Sequence, residues 1–328
     1  MKTQRTFLAA TALAATCILN LSALGQGALT PPGAPAPTMK SLDQIEARTA
    51  ITNTSSLVTI SQPGSYYLTH NLTVSSGDAI DITTNGVTLD LNGFTIVSTA
   101  SSANGTAIYL NNPAAGNTDI IILNGHILGG VTNNGSGVYS GVGFANGINN
   151  YKGAAENILV SRITVSGCLY YGIYLNLNNT TSVEACTVRT VGADGINAST
   201  IKGCVVTDCG GNAIYCYQVS DSRGQCSGGS YGVNATSAQN SLGQSNSGVG
   251  LLASTAQNCY GYSNSDDGLH AYVAENCEGF SSNGTGLNAI RTATGCYGSS
   301  ISGLGLSAFI ANCCSGSSLS VTHNVNSF

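Results

Sequence analysis

The residues best suited to acid–base chemistry lie in one short segment, Asp266-Asp267-Gly268-Leu269-His270. Two carboxylates and an imidazole this close together can supply a general acid and a general base. An Asp-Gly pair before a strand is also an ordinary turn signal, so the same residues have a purely structural explanation. We therefore predict Asp266, Asp267 and His270 as candidate catalytic residues, with a turn as the alternative.

Tyrosine and asparagine recur at a second kind of position, directly after an apolar residue in a repeated phrase. Aromatic rings cover the faces of sugars and amides meet their hydroxyls, so such a set suits a neutral glycan. The alternative is that tyrosine fits an exposed strand and asparagine a turn. The predicted glycan-binding residues are Tyr174, Asn197, Tyr215, Tyr217, Asn234, Tyr272 and Asn288.

The elements that position these residues form a repeat. The phrase Gly-apolar-x-small begins at Gly172, Gly195, Ala213, Gly232, Gly250, Gly268, Gly286 and Gly305, with steps of 18 or 19 residues after a first step of 23. A second column keeps the same period and holds Ile163, Cys186, Cys204, Ser222, Ser241, Cys259, Cys277, Cys296 and Cys314. Apolar residues alternate briefly within each unit and then break at Gly, Asn or Ser, which is typical of very short strands separated by turns.

The length of the unit excludes helical repeats, because 18 residues leave no room for two helices. Leucine-rich repeats have a similar length but need several leucines in each unit. The sequence therefore predicts an all-β solenoid of about eleven parallel coils, each rising about 4.8 Å along the axis. Asn240, Asn258 and Asn276 recur with the same period and are predicted to form a stacked amide ladder at a turn.

Composition and cysteine usage limit the partners. Only 8% of the 328 residues are charged and the net charge is -5, so a nucleic acid is not an expected partner. Six of the twelve cysteines share their column with Ile163, Ser222 and Ser241, which indicates small core residues and not disulfides. They lack the paired spacing of a metal site, and no metal or other cofactor is predicted.

The beginning of the chain resembles an export signal. Lys2 and Arg5 precede an apolar stretch that ends near Gly25, which predicts a signal peptide over residues 1–25 and a mature protein that is secreted, periplasmic or on the cell surface. Residues 26–48 are predicted to be a proline-rich tether with a short helix at Met39–Arg48 that caps the solenoid domain of residues 49–328. No membrane span is expected in the mature chain, which is predicted to be a monomer.

From Leu57 onward the chain resembles the right-handed parallel β-helix proteins of the pectate-lyase-like superfamily. The segment Asn85–Ile96 (NGVTLDLNGFTI) is similar to the opening coils of exported bacterial members, and Thr118–Ile127 repeats it more loosely. The resemblance implies a single-stranded, right-handed parallel β-helix. It leaves the activity open, because the superfamily includes lyases, hydrolases, epimerases and adhesins.

Two functional interpretations follow. The favoured one is a non-catalytic exported β-helix that binds a polysaccharide or cell-surface glycan, or has a structural role at the cell surface. The alternative is a polysaccharide-degrading enzyme, because Asp266, Asp267 and His270 resemble part of the carboxylate and histidine set of polygalacturonase-like glycoside hydrolases. The basic residues of that set have no counterpart downstream, where Arg291 stands alone.

Overall fold

A computed structural model describes residues 47–112, 116–150, 153–177, 180–229 and 231–325. Every regular element in these ranges is a β-strand, and the described residues from Arg48 onward belong to one compact unit. The predicted signal peptide lies outside the described residues. So do residues 26–46 of the predicted tether and capping helix.

The described residues form 32 strands. They are β1 (Thr49–Ile51), β2 (Val58–Ile60), β3 (Gly64–Leu68), β4 (Leu72–Val74), β5 (Ile80–Ile82), β6 (Val87–Asp90), β7 (Thr95–Ser98), β8 (Thr106–Leu110), β9 (Asn117–Leu128), β10 (Gly130–Asn133), β11 (Tyr139–Val142), β12 (Asn146–Asn149), β13 (Ala155–Cys168), β14 (Ile173–Tyr174), β15 (Thr181–Glu184), β16 (Thr187–Val191), β17 (Ile196–Asn197), β18 (Thr200–Lys202), β19 (Val205–Cys209), β20 (Ile214–Ser220), β21 (Arg223–Cys226), β22 (Val233–Gln239), β23 (Leu242–Ser245), β24 (Leu251–Gln257), β25 (Tyr260–Ser263), β26 (Leu269–Glu275), β27 (Glu278–Ser281), β28 (Leu287–Thr294), β29 (Tyr297–Ser300), β30 (Leu306–Asn312), β31 (Ser315–Gly316) and β32 (Leu319–Val325).

Thirty of these strands form one continuous parallel sheet that winds into a right-handed β-helix with three faces. Face 1 begins with β2, β5 and β8, face 2 with β1, β3 and β6, and face 3 with β4, β7 and the end of β9. Each coil crosses face 1, face 2 and face 3 in that order. From β20 onward one bent strand crosses both face 1 and face 2.

The predicted period is confirmed by the strand register. Ile196 pairs with Ile214, Ile214 with Val233, and Val233 with Leu251, so equivalent residues are 18 or 19 positions apart. The predicted count of eleven coils is too low, because about 14 turns are present. The early coils were missed because their length varies; for example, Leu89 pairs with Ile122, whereas Val183 pairs with Ile201.

The core lies inside the three faces and changes in composition along the axis. The early coils bury large aliphatic side chains such as Leu68, Ile80 and Leu89. The coils that contain β24, β26, β28 and β30 each bury one leucine, two alanines and one cysteine at equivalent positions, as in Leu269, Ala271, Ala274 and Cys277. A small core draws the backbones close together, which matches the short period of the later coils.

The turn from face 2 to face 3 explains both the asparagines and the cysteines. Asn240, Asn258 and Asn276 have φ between 49° and 53°, in the left-handed region that asparagine tolerates better than most residues. The predicted amide ladder is present where Asn258 Nδ2 donates to Asn240 Oδ1 at 3.2 Å. The next residue in each coil points into the core, and all members of the predicted cysteine column are buried.

An antiparallel hairpin, β10–β11, leaves the solenoid between β9 and β12 and was not predicted. It is joined to face 3 through Asp208, whose Oδ1 accepts hydrogen bonds from Tyr139 Oη at 2.8 Å and Asn133 Nδ2 at 2.6 Å. Asn134-Gly135, an Asn-Gly turn signal between two short strands, could have revealed it.

In the part of the chain that the structure describes, no helix has the length and hydrophobicity needed to cross a bilayer.

Candidate functional site

Five of the seven predicted glycan-binding residues belong to one continuous column on face 1, here called the face-1 column. Strand pairing places its members in register on successive coils, about 4.8 Å apart. The column holds Thr59, Asp81, Tyr109, Asn149, Tyr174, Asn197, Tyr215, Asn234, Leu252, His270, Asn288, Ser307 and Ser320. Tyr174, Asn197, Tyr215, Asn234 and Asn288 were thus correctly placed on one face.

Asp81, Tyr109 and Asn149 extend this column toward the N-terminus and were missed by the sequence analysis. Their coils do not keep the 18-residue period; Tyr109 pairs with Asp81 and Asn149 pairs with Tyr109 across much longer segments. A signal was nevertheless present, because each follows an apolar residue of the phrase: Ile80, Ile108 and Ile148.

A groove of about 380 Å³ lies over the later part of the column, where face 1 bends into face 2. Tyr215, Tyr217, Asn234, His270 and Tyr272 line it, so five of the predicted candidates come together. Tyr217 and Tyr272 stand at the bend and are 40% and 49% exposed, which leaves their rings available to a ligand.

The remaining candidates lie outside the groove lining. Tyr174 and Asn197 are on earlier coils of the column, and Asn288 is on the coil after His270. Asn197 is only 5% exposed, although an outward-facing residue was expected there. The face-1 column is therefore half-buried for much of its length and is not a flat exposed surface.

Asp267 and His270 form a hydrogen-bonded pair beside the groove. Asp267 Oδ2 lies 2.9 Å from His270 Nδ1 and accepts a second hydrogen bond from Asn288 Nδ2 at 2.9 Å. Its Oδ1 accepts the backbone N–H of Thr285 at 3.0 Å. Asp267 is 9% exposed, whereas Asp266 is exposed and caps the turn by accepting the backbone N–H of Asp267. Both carboxylate oxygens of Asp267 are thus occupied.

The electrostatics of the pair assign different roles to its members. Burial raises the pKa of Asp267, but the hydrogen bonds from His270, Asn288 and the Thr285 backbone outweigh burial and hold the pKa below its ordinary value. The hydrogen bond to Asp267 raises the pKa of His270 above its ordinary value, against the opposing effect of burial. Asp267 is therefore suited to orient and charge the imidazole, and it is a poor proton donor.

The position of Asp267 has structural equivalents on other coils. Asp78 Oδ1 accepts the backbone N–H of Thr106 at 2.6 Å, and Asp194 Oδ1 accepts that of Asn212 at 2.7 Å. In each case a carboxylate before the face-1 strand ties its coil to the next coil. This inter-coil hydrogen bond is enough to explain why an aspartate occupies position 267 without a catalytic role. It agrees with the structural alternative that the Asp-Gly turn signal offered.

No group of three or more His, Cys, Asp or Glu side chains that could hold a metal ion occurs among the described residues. The stacked cysteines donate to backbone carbonyls of their own coils; for example, Cys277 Sγ lies 3.2 Å from Glu275 O.

Comparison with known proteins yields no family assignment. No protein-family profile and no curated protein matches the chain. Among solved structures, the chain is similar to the enzymatically active domain of tailspike protein 2 of bacteriophage CBA120, at 15% identity and a TM-score of 0.36. The match covers 77% of this chain and 38% of the tailspike domain. At these values the likeness carries no argument about activity.

Proposed function

We propose that the protein binds an uncharged glycan in the face-1 groove. The observation that carries the proposal is the convergence of Tyr215, Tyr217 and Tyr272 with Asn234 on one groove that crosses several coils. Aromatic rings pack against the faces of sugars, and an amide between them can bond to hydroxyls.

The charge of the groove supports the uncharged ligand. None of the described residues that line it is Lys, Arg, Asp or Glu, and His270 is the one imidazole there. The cations at this groove are His270, whose charge is already paired with Asp267, and Arg291, which lies 5.9 Å from the centroid of the Tyr272 ring. An acidic polysaccharide would therefore find little positive charge to pair with along the groove. A neutral chain needs only ring contacts and hydrogen bonds, which the groove offers.

Retention on immobilised neutral polysaccharides tests the proposal. Tyr217→Ala and Tyr272→Ala should each weaken binding roughly three- to tenfold, because each removes one aromatic platform. Tyr297→Ala is the matched control, since Tyr297 is similarly exposed, at 43%, but lies on face 3. Equal effects of all three substitutions, or no retention on any neutral polysaccharide, would refute the proposal.

We also propose that this binding takes place outside the cytoplasm, with the mature chain as a monomer at the cell surface or in the periplasm. The predicted signal peptide at residues 1–25 supports export. N-terminal sequencing of the protein recovered from periplasm and medium should find a chain that begins near Gln26. An intact N-terminus on protein found only in the cytoplasm would contradict export, and sedimentation of the purified protein tests the monomer.

The Asp267–His270 pair supports a second candidate function, the cleavage of a polysaccharide. In that reaction His270 Nε2 and the exposed Asp266 would exchange protons with the substrate, and Asp267 would orient His270. Asp267→Asn should then abolish cleavage while leaving retention intact, as judged by release of reducing or unsaturated ends. Cleavage that persists in both Asp267→Asn and His270→Gln would exclude this site.

A further inference from the structure

The earlier part of the face-1 column alternates in chemistry from coil to coil. Tyr109, Tyr174 and Tyr215 occupy every second coil of one run. The coils between and on either side of them carry side chains with carbonyl or carboxylate oxygens, namely Asp81, Asn149, Asn197 and Asn234. The pattern therefore repeats every two coils, or about 9.6 Å along the axis.

An independent observation has the same two-coil period. Asp81 Oδ1, Asn149 Oδ1 and Asn197 Oδ1 are buried oxygen atoms without a hydrogen-bond partner. Asn149 and Asn197 are 6% and 5% exposed, and such buried polar groups are nearly always paired in folded proteins. Two of these unpaired acceptors fall on the coils between the tyrosines, and Asp81 falls on the coil before Tyr109.

We infer that this run of face 1 binds a linear, uncharged glycan that lies along the solenoid axis and repeats every disaccharide. The inference rests on the proposed function and extends the binding surface from the groove toward the N-terminus. A glycan whose rings alternate in orientation presents the same ring face at every second sugar, which is the spacing of the tyrosines. The hydroxyls of the sugars between them supply the donors that the unpaired oxygens lack.

Burial sets a condition on this binding. The unpaired oxygens are covered in the free protein, and each has a tyrosine as its register neighbour on the adjacent coil. Tyr174 lies in register between Asn149 and Asn197, and its ring packs against Tyr171 with the centroids 4.6 Å apart. The inference therefore requires this ring to leave Tyr171 and rotate outward, so that a hydroxyl can reach Asn149 Oδ1 or Asn197 Oδ1. The chain has 15 tyrosines and no tryptophan, so this rotation should change the tyrosine fluorescence on binding.

Charge decides between neutral and acidic glycans. Asp78, Asp81 and Asp194 lie in or directly beside the run, and its described members include no Lys or Arg. A polyuronate would place its carboxylates next to these aspartates without a compensating cation. The run is therefore expected to reject oligogalacturonates.

The experiment measures dissociation constants by calorimetry for cello-, manno- and chito-oligosaccharides, from disaccharide to octasaccharide, with oligogalacturonates alongside. One neutral series should gain affinity in steps of roughly three- to tenfold at each added disaccharide and little at each odd sugar. Tyr109→Ala and Tyr174→Ala should each abolish the gain in affinity that comes with one of the added disaccharides. Tyr174→Phe keeps the ring and should keep the step, and Tyr297→Ala on face 3 should have no effect.

The outcomes separate this inference from the proposed function. Binding that depends on Tyr217 and Tyr272 but rises evenly with every sugar, or ignores Tyr109 and Tyr174, overturns the inference and leaves the groove as a binding site. Preference for oligogalacturonates overturns it as well. Failure of every probe to bind the unaltered protein overturns both. If Tyr174→Ala does not fold, Tyr109→Ala and Asn149→Leu test the same step.

Discussion

Asp267 has a different role in the structure from the one that its residue type predicted. The residue types of Asp267 and His270 indicated acid–base chemistry, and the two side chains do meet at 2.9 Å. The partners that decide the role of Asp267 come from the next coil, where Thr285 and Asn288 occupy its remaining bonding capacity. Spacing within one coil could not reveal this, because the neighbour in space is 18 residues away.

The same pair predicts a pH dependence of stability. The pKa of His270 is raised above 6.5, so its contribution is complete below pH 6.5 and is lost as pH rises through the raised value. The pKa of Asp267 is lowered from 3.8, so its contribution is complete above that value and is lost as pH falls through the lowered one. The charged pair therefore stabilises the fold most between these limits, near pH 5.

His270→Gln measures this contribution. We expect it to reduce the free energy of unfolding by up to about 1 kcal/mol near pH 5 and by less at pH 8, where a smaller fraction of the wild-type imidazole is charged. Asp266 is the other charged group beside His270. The register neighbours of His270 on the adjacent coils, Leu252 and Asn288, have no titratable side chain. Urea unfolding of both proteins at the two pH values gives the comparison. A difference that grows at pH 8 would contradict the assigned charge state.

At the scale of the element, the inward column after the left-handed turn acts as a hydrogen-bonded ladder. Cys204 Sγ donates to Lys202 O at 3.4 Å and accepts the N–H of Cys186 at 3.4 Å. Ser222 does the same on the next coil, donating to Ser220 O and accepting the N–H of Cys204. This shared pattern explains why both serine and cysteine occupy one column, whereas the sequence suggested only a small core residue.

Cys204→Ser and Cys204→Val separate the two roles of this column. Serine keeps both hydrogen bonds, so its cost should stay below about 1 kcal/mol. Valine matches the apolar character of cysteine but leaves the N–H of Cys186 without its acceptor, which should cost about 1–3 kcal/mol. Thermal unfolding of the two variants provides the ranking. Greater loss with serine than with valine would mean that burial, and not the ladder, selects cysteine.

For the whole molecule, the parallel β-helix was predictable because its later coils have nearly the same length and repeat similar inward residues. Two columns with one period fixed the strand register from Ile173 to Leu306. The early coils have a core of larger and more varied side chains, and their lengths differ from one another. Because they keep no fixed period, their number was underestimated. The hairpin β10–β11 follows no repeat and is held by Asp208, a contact between residues more than sixty positions apart, which no local pattern encodes.

The change in core composition along the axis predicts a gradient of local stability. Burying a Leu or Ile side chain contributes about 1.5–3 kcal/mol, far more than burying an alanine. Coils of a solenoid interact mainly with their neighbours, so a weaker core remains a local weakness. Amide protons of β24, β26 and β28 should therefore exchange faster than those of β6, β9 and β13. Hydrogen–deuterium exchange followed by mass spectrometry can resolve these segments.

Gly250→Ala tests whether that weakness is local. A methyl group on Gly250 would lie 2.4 Å from the backbone N and O of Tyr262, closer than atoms can approach, so the coils beside it must separate. Exchange should accelerate from β22 to β26 and remain unchanged in β6 and β9, because nearest-neighbour coupling does not carry the strain that far. Ala213→Gly, at the equivalent position two coils earlier, removes a methyl group and is the matched control. Faster exchange throughout the chain in Gly250→Ala would show that the solenoid unfolds as one cooperative unit despite its uneven core.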